Sequence, residues 1–595
     1  MLENINTKIV IFGFLGALMA VVAIVRMSYI SIARGRNIRE VVDDKAYSKV
    51  VVTAFGGNLL GDNGKDLLSY YHPNSEIRWN AKKAKKSLDD FSVDTLIHLF
   101  DKYYKAENNG KSYRKIFTDA YKNDKTYQLI MKDVLISDEK KIRTFPIFRE
   151  AQGGLMVEKR DEMKFTSRKI GLRTLGKPNL DESENNHVGL IGRYGDTLKG
   201  STLSLSMFHG SVVPVNIAED IFPDDGRDIV TTINYDLSEY TYNVLSAQMR
   251  KVGAGKGCAM IMDVKTGDIK TMINLTRGDG NDSAYYEFTN IAYAHPYEPG
   301  SVFKLASYLV GLKDNLIDIN KQINIGNGKM NFPGKVVTDS HTYSSEKIYP
   351  VHTLFAISSN VGAAKIIYDN YKNNPQKFVD GLHELHLDDH IKTDILSSAK
   401  SHIKNVEDED WWNTSLYQMA QGYEVMITPI NLLTFYNAVA NDGVMMRPRY
   451  VTKIAGNKTK DEIVTKQVVV DTICSSAVAK TAQSLLAEVV TDGTAKEVFN
   501  GAPYTFAGKT GTAQIGAKHV YSATFAGFMP AENPKYTIFV MMTDLHDQYY
   551  AAQTAAPVVR KIADRIYATD KSFFKELVVK EPLYNKDAKK EITDK

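Results

Sequence analysis

Residues 297–313 read YEPGSVFKLASYLVGLK, and the prediction of the fold and of the candidate site starts from this stretch. Ser301 follows Pro299-Gly300 and opens a strongly apolar segment, which predicts a helix beginning at this serine. Ser301 would lie at the positive end of the helix dipole, and Lys304 would share its helix face. Burial in an apolar helix lowers the pKa of a lysine, so its neutral amine becomes available as a base. The alternative is a capped helix whose lysine simply reaches solvent.

The Ser-x-x-Lys spacing alone is weak evidence, because the chain contains it seven times. Two further motifs follow the one at Ser301, namely Ser358-Ser359-Asn360 and then Lys509-Thr510-Gly511 in a strand-like stretch. A second Lys-Thr-Gly, at residues 265–267, precedes Ser301 and is predicted to be an exposed hairpin turn between strands 258–264 and 269–275. The order of the three motifs therefore favours one site that includes Ser301.

That order resembles the signature of the penicillin-binding proteins and serine β-lactamases. The resemblance implies that Ser301 Oγ attacks a peptide carbonyl and forms an acyl-enzyme. It also implies that Lys304 takes the serine proton, that Ser358 relays a proton to the leaving amine, and that Asn360 holds the substrate backbone. No metal and no organic cofactor is implied.

The same resemblance assigns the carboxylate end of the substrate to the strand-like motif. Lys509 would supply positive charge near the terminal carboxylate of the donor peptide, and two threonine hydroxyls would donate hydrogen bonds to it. The backbone N–H groups of Ser301 and Thr512 would form the oxyanion hole. The substrate-binding residues predicted in this way are Asn360, Lys509, Thr510, Gly511 and Thr512.

The resemblance extends over nearly the whole chain and is closest to the class B, cell-division branch of the family. Residues 57–68, 173–176 and 189–192 resemble the three motifs of the pedestal domain that precedes the catalytic domain. Residues 209–216 and 224–228 resemble the septal branch more than the elongation branch. Two positions depart from the pattern, because Gly56 stands where Arg is usual and Ile191 where Glu is usual. Both halves of one contact within the pedestal are therefore expected to be missing.

Composition and charge exclude several other classes of protein. The chain has 595 residues, of which 43% are hydrophobic and 24% charged, and this is ordinary globular composition rather than that of a disordered or multi-span membrane chain. A formal net charge of +4 over this length is no nucleic-acid signature. Two cysteines cannot form a disulfide framework, and they fit no metal-ligand spacing.

Residues 9–25 form an unbroken apolar run, which predicts an N-terminal transmembrane anchor. The alternative is a cleaved signal peptide, although the run is long for one. Arg26, Arg34, Arg36 and Arg39 follow the run, and taken alone they predict that the rest of the chain is cytoplasmic. Large domains cross membranes largely regardless of flanking charge, and peptidoglycan lies outside. We therefore expect the catalytic domain on the periplasmic side of the cytoplasmic membrane.

One other cluster could carry chemistry of a different kind. His383, His386 and His390 lie within eight residues of each other, with Asp388 and Asp389 between them, and three histidines at such spacing could bind zinc. The alternative, which we prefer, is the polar end of a helix. No metal site is predicted.

The predicted fold class is α+β, with an N-terminal transmembrane helix, an elongated pedestal domain and a transpeptidase domain whose antiparallel sheet is flanked by helices. Residues 91–104 and 113–134 are predicted amphipathic helices, residues 236–251 and 557–567 further helices, and residues 522–529 and 536–543 strands. The predicted boundaries are an anchor over 1–35, the pedestal over 36–222, the transpeptidase domain over 223–570 and a charged tail over 571–595.

The function that these features imply is D,D-transpeptidation of peptidoglycan stem peptides during septal wall synthesis, with acylation by β-lactams. The expected partners are stem peptides, a membrane-embedded glycan polymerase and other division proteins, and no nucleic acid. One alternative is a D,D-carboxypeptidase or β-lactamase, in which water is the acceptor. Another is a catalytically silent division scaffold, against which the complete motif set argues.

Overall fold

The computed structural model describes residues 2–34, 47–85, 90–104, 112–150, 152–176, 188–208, 211–212, 224–278, 284–395, 399–456, 459–516 and 519–573. The helices are α1 (Leu2–Tyr29), α2 (Ala81–Ala84), α3 (Asp90–Tyr103), α4 (Tyr113–Lys122), α5 (Ile136–Arg143), α6 (Leu172–Leu175), α7 (Gly189–Arg193), α8 (Gly195–Lys199), α9 (Tyr235–Val252), α10 (Ile291–Ala294), α11 (Lys304–Lys313), α12 (Val351–Ala356), α13 (Asn360–Tyr371), α14 (Pro375–His383), α15 (Ser415–Met419), α16 (Pro429–Ala440), α17 (Ser476–Thr491), α18 (Lys496–Phe499) and α19 (Ala555–Thr569).

The strands are β1 (Tyr47–Thr53), β2 (Leu59–Leu60), β3 (Leu67–Trp79), β4 (Gln128–Val134), β5 (Leu155–Phe165), β6 (Thr202–Phe208), β7 (Ser211–Val212), β8 (Ile229–Thr231), β9 (Lys256–Asp263), β10 (Ile269–Arg277), β11 (Tyr285–Tyr286), β12 (Gln322–Asn324), β13 (Lys329–Phe332), β14 (Lys335–Thr338), β15 (Ile348–Pro350), β16 (His402–Ile403), β17 (Val425–Met426), β18 (Met445–Met446), β19 (Val451–Ile454), β20 (Glu462–Ile463), β21 (Val468–Val470), β22 (Ala507–Ile515), β23 (Val520–Met529) and β24 (Tyr536–Leu545).

The chain divides into two compact units, and the smaller comprises residues 1–56 and 199–226. It contains α1, whose segment Val10–Ile32 is long and apolar enough to cross a membrane and is not buried by other parts of the protein. It also contains an antiparallel sheet in the order β1-β6-β7, in which Val50 pairs with Leu205. The predicted apolar N-terminal helix is therefore confirmed.

The larger unit comprises residues 57–198 and 227–595, and its main feature is a six-stranded antiparallel sheet in the order β11-β10-β9-β24-β23-β22. Strands that are far apart in the chain meet in its centre, where β9 pairs with β24 and Met260 lies opposite Phe539. The strand β22 lies at one edge, paired only with β23. This edge faces the candidate site described below.

Helices cover both faces of this sheet, as the alternation of side chains along β24 shows. Successive residues of a strand point to opposite faces. Tyr536 donates a hydrogen bond to Asp570, just beyond α19, while its neighbour Thr537 donates one to Asn437 of α16. The predicted α+β class, with an antiparallel sheet flanked by helices, is confirmed.

A second sheet in the larger unit joins the N-terminal part of the chain to the segment after residue 227. It runs in the order β20-β19-β8-β2-β3-β4. In addition, every residue of β5 pairs with a residue of β3. A separate aromatic core packs against this sheet, with Phe100 and Phe117 at a centroid distance of 5.2 Å and Trp79 at 5.3 Å from Phe117. The indole N–H of Trp79 donates to the carbonyl of Gly153 at 2.9 Å.

The prediction of one helix over residues 113–134 is wrong. The helix α4 ends at Lys122, Asp124 adopts a left-handed φ of 48°, and the chain returns as β4. Leu129 pairs with Arg78 of β3, so hydrogen bonding to the sheet decides the conformation of this second half. The other predicted helices and strands are observed with end shifts of a few residues, including α3, α9, α19, β9 and β10.

The predicted domain boundaries remain a prediction. The junctions at residues 35/36 and 222/223 fall outside the described residues, as do most of the 571–595 segment and the stretch 213–216 of the septal motif.

Candidate active site

Ser301 lies in a single 3₁₀ turn, Gly300–Phe303, that continues directly into α11, so the predicted helix start at this serine is confirmed. Gly300 has a left-handed φ of 56°, a conformation that favours glycine. Its N–H donates to the carbonyl of Gly422 at 3.0 Å, and a Cβ at Gly300 would lie 3.0 Å from the Cβ of Ala513. The turn that presents Ser301 is therefore packed between the 420–424 segment and β22.

The edge strand β22 comes close to this turn because its residue 511 is a glycine. A Cβ at Gly511 would lie 3.0 Å from both the carbonyl oxygen of Pro299 and the backbone nitrogen of Val302. Any side chain would push the strand away from the serine turn. The glycine of the Lys-Thr-Gly motif therefore has a steric role that brings Thr510 and Thr512 beside Ser301.

Lys304 is the buried centre of the site, with only 1% of its surface exposed. Its amine donates to the carbonyl oxygen of Ser358 at 2.7 Å and to Oδ1 of Asn360 at 2.8 Å, and lies 3.4 Å from the Ser358 hydroxyl. Burial lowers its pKa to about 7, against an opposing effect of the Asp339 carboxylate. A large fraction of the Lys304 amine is therefore neutral near pH 7, as a general base requires.

The Ser-x-Asn turn lies between α12 and α13, and its backbone is strained at the first serine. Ser358 has a φ of 60°, which is uncommon for a residue with a side chain and costs about 1–3 kcal/mol. This conformation brings both the carbonyl oxygen and the hydroxyl of Ser358 within hydrogen-bonding distance of the Lys304 amine. The structure thus brings together Lys304, Ser358 and Asn360, which are far apart in the sequence.

The carboxylate of Asp339, which follows β14, holds this turn from the other side. It accepts hydrogen bonds from the N–H groups of Asn360 at 2.6 Å and Val361 at 2.9 Å, and from the Ser359 hydroxyl at 2.8 Å. Sequence reasoning did not identify Asp339, because nothing in the sequence relates an aspartate after one hairpin to a turn twenty residues later.

Lys509 is fully buried, and its amine hydrogen-bonds only to the carbonyl of Thr510, at 3.1 Å, among the described residues. It also lies 5.8 Å from the ring centroid of Phe355. Burial and the nearby charge of Lys304 hold its pKa well below the usual value for lysine. An anion that enters the site would favour the protonated form of Lys509.

The two threonines of the strand motif have different surroundings. The Thr510 hydroxyl is hydrogen-bonded to that of Thr494 at 2.6 Å, a residue that sequence reasoning did not identify. The Thr512 hydroxyl accepts a hydrogen bond from the N–H of Ala551 at 3.2 Å. Thr512 is thus in contact with the loop after β24, whereas the hydroxyl of Thr510 is engaged within the wall of the site.

Aromatic rings extend from β23 to the same loop. Tyr521, which pairs with Gln514 of β22, stacks on Tyr549 at a centroid distance of 3.9 Å, and Tyr549 lies 4.7 Å from Tyr550. Tyr550 is nearly half exposed. These rings were missed in the sequence because the loop 546–550 has no motif of its own and approaches β22 only through the tertiary fold.

Among the described residues, no hydrogen-bond partner is found for the Ser301 hydroxyl, whose residue is partly exposed. A serine hydroxyl without a hydrogen-bond partner among the described residues, a buried lysine of lowered pKa one turn on, and a second hydroxyl 3.4 Å from that lysine are the elements of a nucleophile with its base and a proton relay.

The second Lys-Thr-Gly has a different environment. Lys265 is exposed and its amine reaches Oδ1 of Asn441 at 2.9 Å, while the Asp263 carboxylate accepts hydrogen bonds from the N–H groups of Lys265 and Thr266. The residues form the hairpin turn between β9 and β10 that the sequence predicts.

Two histidines of the cluster pair with two different aspartates. His383 Nδ1 lies 2.8 Å from Asp388, which raises the pKa of His383, and His386 Nδ1 lies 2.7 Å from Asp389. Within the described ranges, no group of three His, Cys, Asp or Glu side chains is arranged to hold a metal ion.

The pedestal-like motif at residues 173–176 contacts the six-stranded sheet through Glu287. The Glu287 carboxylate accepts hydrogen bonds from the N–H groups of Arg173 at 2.8 Å and Asn274 at 2.7 Å, and burial raises its pKa to about 7. Ile191, which stands at the position where the resemblance predicts Glu, is buried in the main hydrophobic core.

The sequence matches the family described as the penicillin binding protein transpeptidase domain over residues 257–564. A peptidoglycan D,D-transpeptidase FtsI homolog from Mesostigma viride is 25% identical over 390 residues, which are 60% of this chain and 64% of the relative. The penicillin-binding protein PbpB of Mycolicibacterium smegmatis is 25% identical over 407 residues, which are 65% of this chain and 61% of the relative. The chain thus matches somewhat less than two thirds of the length of these relatives.

Solved structures have the same fold. Penicillin-binding protein 2X from Streptococcus thermophilus superposes with a TM-score of 0.71 at 16% identity, covering 89% of this chain and 81% of that protein. A peptidoglycan synthetase from Bifidobacterium adolescentis superposes with a TM-score of 0.64 at 18% identity, covering 88% of this chain and 96% of that protein.

Proposed function

Because the chain belongs to the penicillin-binding protein transpeptidase family, we propose that it is a serine D,D-transpeptidase that cross-links peptidoglycan stem peptides. The observation that carries the proposal is the environment of Lys304, a buried amine with a pKa of about 7 that contacts Ser358 and Asn360. This lysine follows Ser301 by one helical turn.

In the acylation step, Lys304 takes the proton of Ser301 Oγ as the oxygen attacks the carbonyl carbon of the penultimate D-Ala of the donor. The N–H groups of Ser301 and Thr512 stabilise the oxyanion that forms. Collapse of this intermediate breaks the peptide bond, and Ser358 relays the proton from Lys304 to the leaving D-Ala amine. The donor then remains bound to Ser301 as an ester.

The donor is recognised through its backbone and its terminal carboxylate. Asn360 holds the backbone, and Lys509 supplies the charge, with Thr510, Gly511 and Thr512 along β22. A fully buried lysine whose pKa is lowered by burial and by Lys304 takes up a proton when an anion binds, so binding of the carboxylate is coupled to proton uptake and weakens as pH rises. No metal or cofactor takes part in these steps.

In the second half-reaction, an amine from a neighbouring stem attacks the ester carbonyl. Ser358 and Lys304 pass the proton of this amine to Ser301 Oγ, which leaves as the new amide bond forms. If water is the acceptor instead, the product is that of a D,D-carboxypeptidase. We favour the amine because the pedestal-like segment and the membrane helix resemble those of transpeptidases that act on nascent glycan strands.

The proposed setting is the septum. The helix Val10–Ile32 anchors the chain in the cytoplasmic membrane, and residues beyond about 35 lie on the periplasmic side, where the substrate is. The relatives named FtsI support a role in division. In this setting the partners are a membrane-embedded glycan polymerase and other division proteins, and β-lactams act as inhibitors by acylating Ser301.

Domain roles follow the predicted boundaries, with residues 36–222 as a pedestal and 223–570 as the catalytic domain. The aromatic core around Trp79 and Phe100 gives the first part its own stability, and the contact of Glu287 with Arg173 ties the motif at 173–176 to the catalytic sheet.

The test is product analysis with a soluble donor peptide that ends in D-Ala-D-Ala and an amine acceptor. We expect an amide-linked product, with release of one D-Ala, and no product from the Ser301→Ala variant. Release of D-Ala without the amide product would indicate a carboxypeptidase. If neither product forms and a penicillin is not bound, the chain is a silent scaffold.

A further inference from the structure

The Asp339 carboxylate occupies a central position behind the Ser-x-Asn turn. One oxygen accepts hydrogen bonds from the N–H groups of Asn360 and Val361, the first two residues of α13. The other oxygen accepts a hydrogen bond from the Ser359 hydroxyl. A carboxylate at a helix N-terminus satisfies backbone donors that have no partner within the helix and interacts favourably with the helix dipole.

The turn that Asp339 holds is also the turn that holds the amine of Lys304. Both strong acceptors of this amine, the Ser358 carbonyl and Asn360 Oδ1, belong to it. Ser358 is in a left-handed conformation that costs free energy, and such a conformation persists only where neighbouring contacts fix it. The N–H groups of Ser358 and Ser359 donate to the carbonyls of Phe355 and Leu354, and the hydrogen bonds to Asp339 fix the three residues that follow Ser358.

Asp339 is itself fixed in place. It follows β14, its own N–H donates to the carbonyl of Gly328 at 2.9 Å, and the Thr338 carbonyl accepts from Nδ2 of Asn360 at 3.1 Å. In the described part of the chain, no lysine or arginine forms an ion pair with it. At hydrogen-bonding distance its charge is therefore met by backbone and hydroxyl donors, and the amine of Lys304 interacts with it at longer range.

The geometry points to Asp339 as the positioning residue that holds the Ser-x-Asn turn, and through it the amine of Lys304, in place for acylation of Ser301. This inference rests on the proposed function. Asp339 does not touch the reacting atoms; it acts through Ser359, Asn360 and the charge that it places near Lys304.

That charge has a measurable consequence. The titratable groups that act on Lys304 are Asp339, which raises its pKa against the effect of burial, and Lys509 on β22, which interacts with it as a like charge. Tyr308, one turn further along α11, is also within the influence of Asp339. Removing the negative charge lowers the pKa of Lys304, so its amine is neutral at a lower pH.

The experiment measures the rate of acylation by a fluorescent penicillin from pH 5.5 to 9.5 in the full-length, detergent-solubilised protein. In the wild type the rate should rise through a midpoint near pH 7 as Lys304 loses its proton, and it should fall again at higher pH where Lys509 is neutral; the midpoint is that of the rising limb. Asp339→Asn keeps an oxygen for the backbone donors but loses the charge. Its midpoint should fall by roughly 0.5 to 1 pH unit, and its rate above the midpoint should stay within about threefold of the wild type.

A second variant separates position from charge. Ser359→Ala keeps the carboxylate but removes one of its hydrogen-bond donors and the hydroxyl that accepts the Gly362 N–H. Its rate above the midpoint should fall about tenfold or more, with the midpoint unchanged. Asp314→Asn, at the far end of α11, is the control for removal of a carboxylate and should change neither quantity.

The outcomes distinguish this inference from the proposed function. A wild-type protein that no penicillin acylates at any pH would overturn both. A wild type that is acylated normally, beside an Asp339→Asn variant with an unchanged midpoint, would overturn the role of Asp339 alone. A Ser359→Ala variant with the full wild-type rate would do the same.

Discussion

At the residue scale, the chemistry depends on two lysines that the fold removes from water. Lys304 and Lys509 are both buried, and burial lowers the pKa of each, but their hydrogen bonds differ. Lys304 has three oxygens of the Ser-x-Asn turn around it, whereas Lys509 has one carbonyl of its own strand. This difference fits the proposed roles, in which Lys304 acts as the base and Lys509 binds an anion.

The role of Lys304 as a base gives a prediction for Lys304→Arg. An arginine is protonated at every accessible pH and cannot take the proton of Ser301, so acylation by penicillin should fall by several orders of magnitude. The rate is measured by stopped-flow or gel fluorescence, with thermal unfolding as the control for folding. A folded variant that is labelled at nearly the normal rate would show that the base lies elsewhere.

The two Lys-Thr-Gly motifs form a matched pair for a second prediction. Lys509→Ala should reduce acylation by at least about a hundredfold, because the carboxylate of the donor or penicillin loses its counter-charge. Lys265→Ala removes an exposed side chain whose amine bonds to Asn441, outside the candidate site, and should leave the rate unchanged, with a loss of stability of at most about 1.5 kcal/mol. Equal losses in the two variants would contradict the choice of motif.

At the element scale, the site is formed where the serine turn meets the edge strand β22. Gly300 and Gly511 permit this approach, since a Cβ at either position would press on the opposite segment. The contact is local in space but joins residues about 200 positions apart. A cleft of this kind depends on the exact register of one strand against one turn.

The prediction at this scale is that Gly511→Ala moves β22 away from the turn that carries Ser301. The added Cβ would lie about 3 Å from backbone atoms of Pro299 and Val302, so β22 must shift. Acylation should fall at least about tenfold, and the free energy of unfolding by about 1–3 kcal/mol. Gly195→Ala, at a position with nothing within 4 Å of the new Cβ, is the control for a glycine-to-alanine change. If Gly511→Ala is acylated like the control, the close packing is irrelevant to activity.

Local sequence patterns predicted those elements whose conformation depends on local chemistry. The apolar run after Ser301 and the turn at residues 265–268 are of this kind, and both are observed. The sequence pattern predicts a helix at residues 128–134, because it does not show that these residues pair with β3. Asp339 and Thr494 could not be predicted as site residues for a similar reason, because each contacts its partner motif only in the folded chain.

At the scale of the whole molecule, the candidate site and the apolar N-terminal helix lie in different parts of the chain. Every site residue that the sequence predicts lies between Ser301 and Thr512, within the segment 257–564 that matches the transpeptidase family. The helix that could cross a membrane lies at Val10–Ile32. Acylation should therefore be independent of the anchor, while a role at the septum should require it.

A chain that starts at residue 36 tests this separation. It should be soluble, and it should bind fluorescent penicillin at the wild-type rate within about twofold, because no site residue is removed. Exported to the periplasm of cells depleted of the full-length protein, it should fail to restore division, since it is not confined to the membrane plane where glycan strands emerge. Normal division of such cells would contradict the role given to residues 1–35.

The most direct test of the central claim is to find the atom that is acylated. The full-length protein is labelled with a penicillin and digested, and the peptide that carries the adduct is sequenced by mass spectrometry. The account predicts a single adduct on Ser301, absent from Ser301→Ala and retained in Ser112→Ala, which changes the serine of another Ser-x-x-Lys. An adduct on any other serine, or labelling that survives Ser301→Ala, would contradict it.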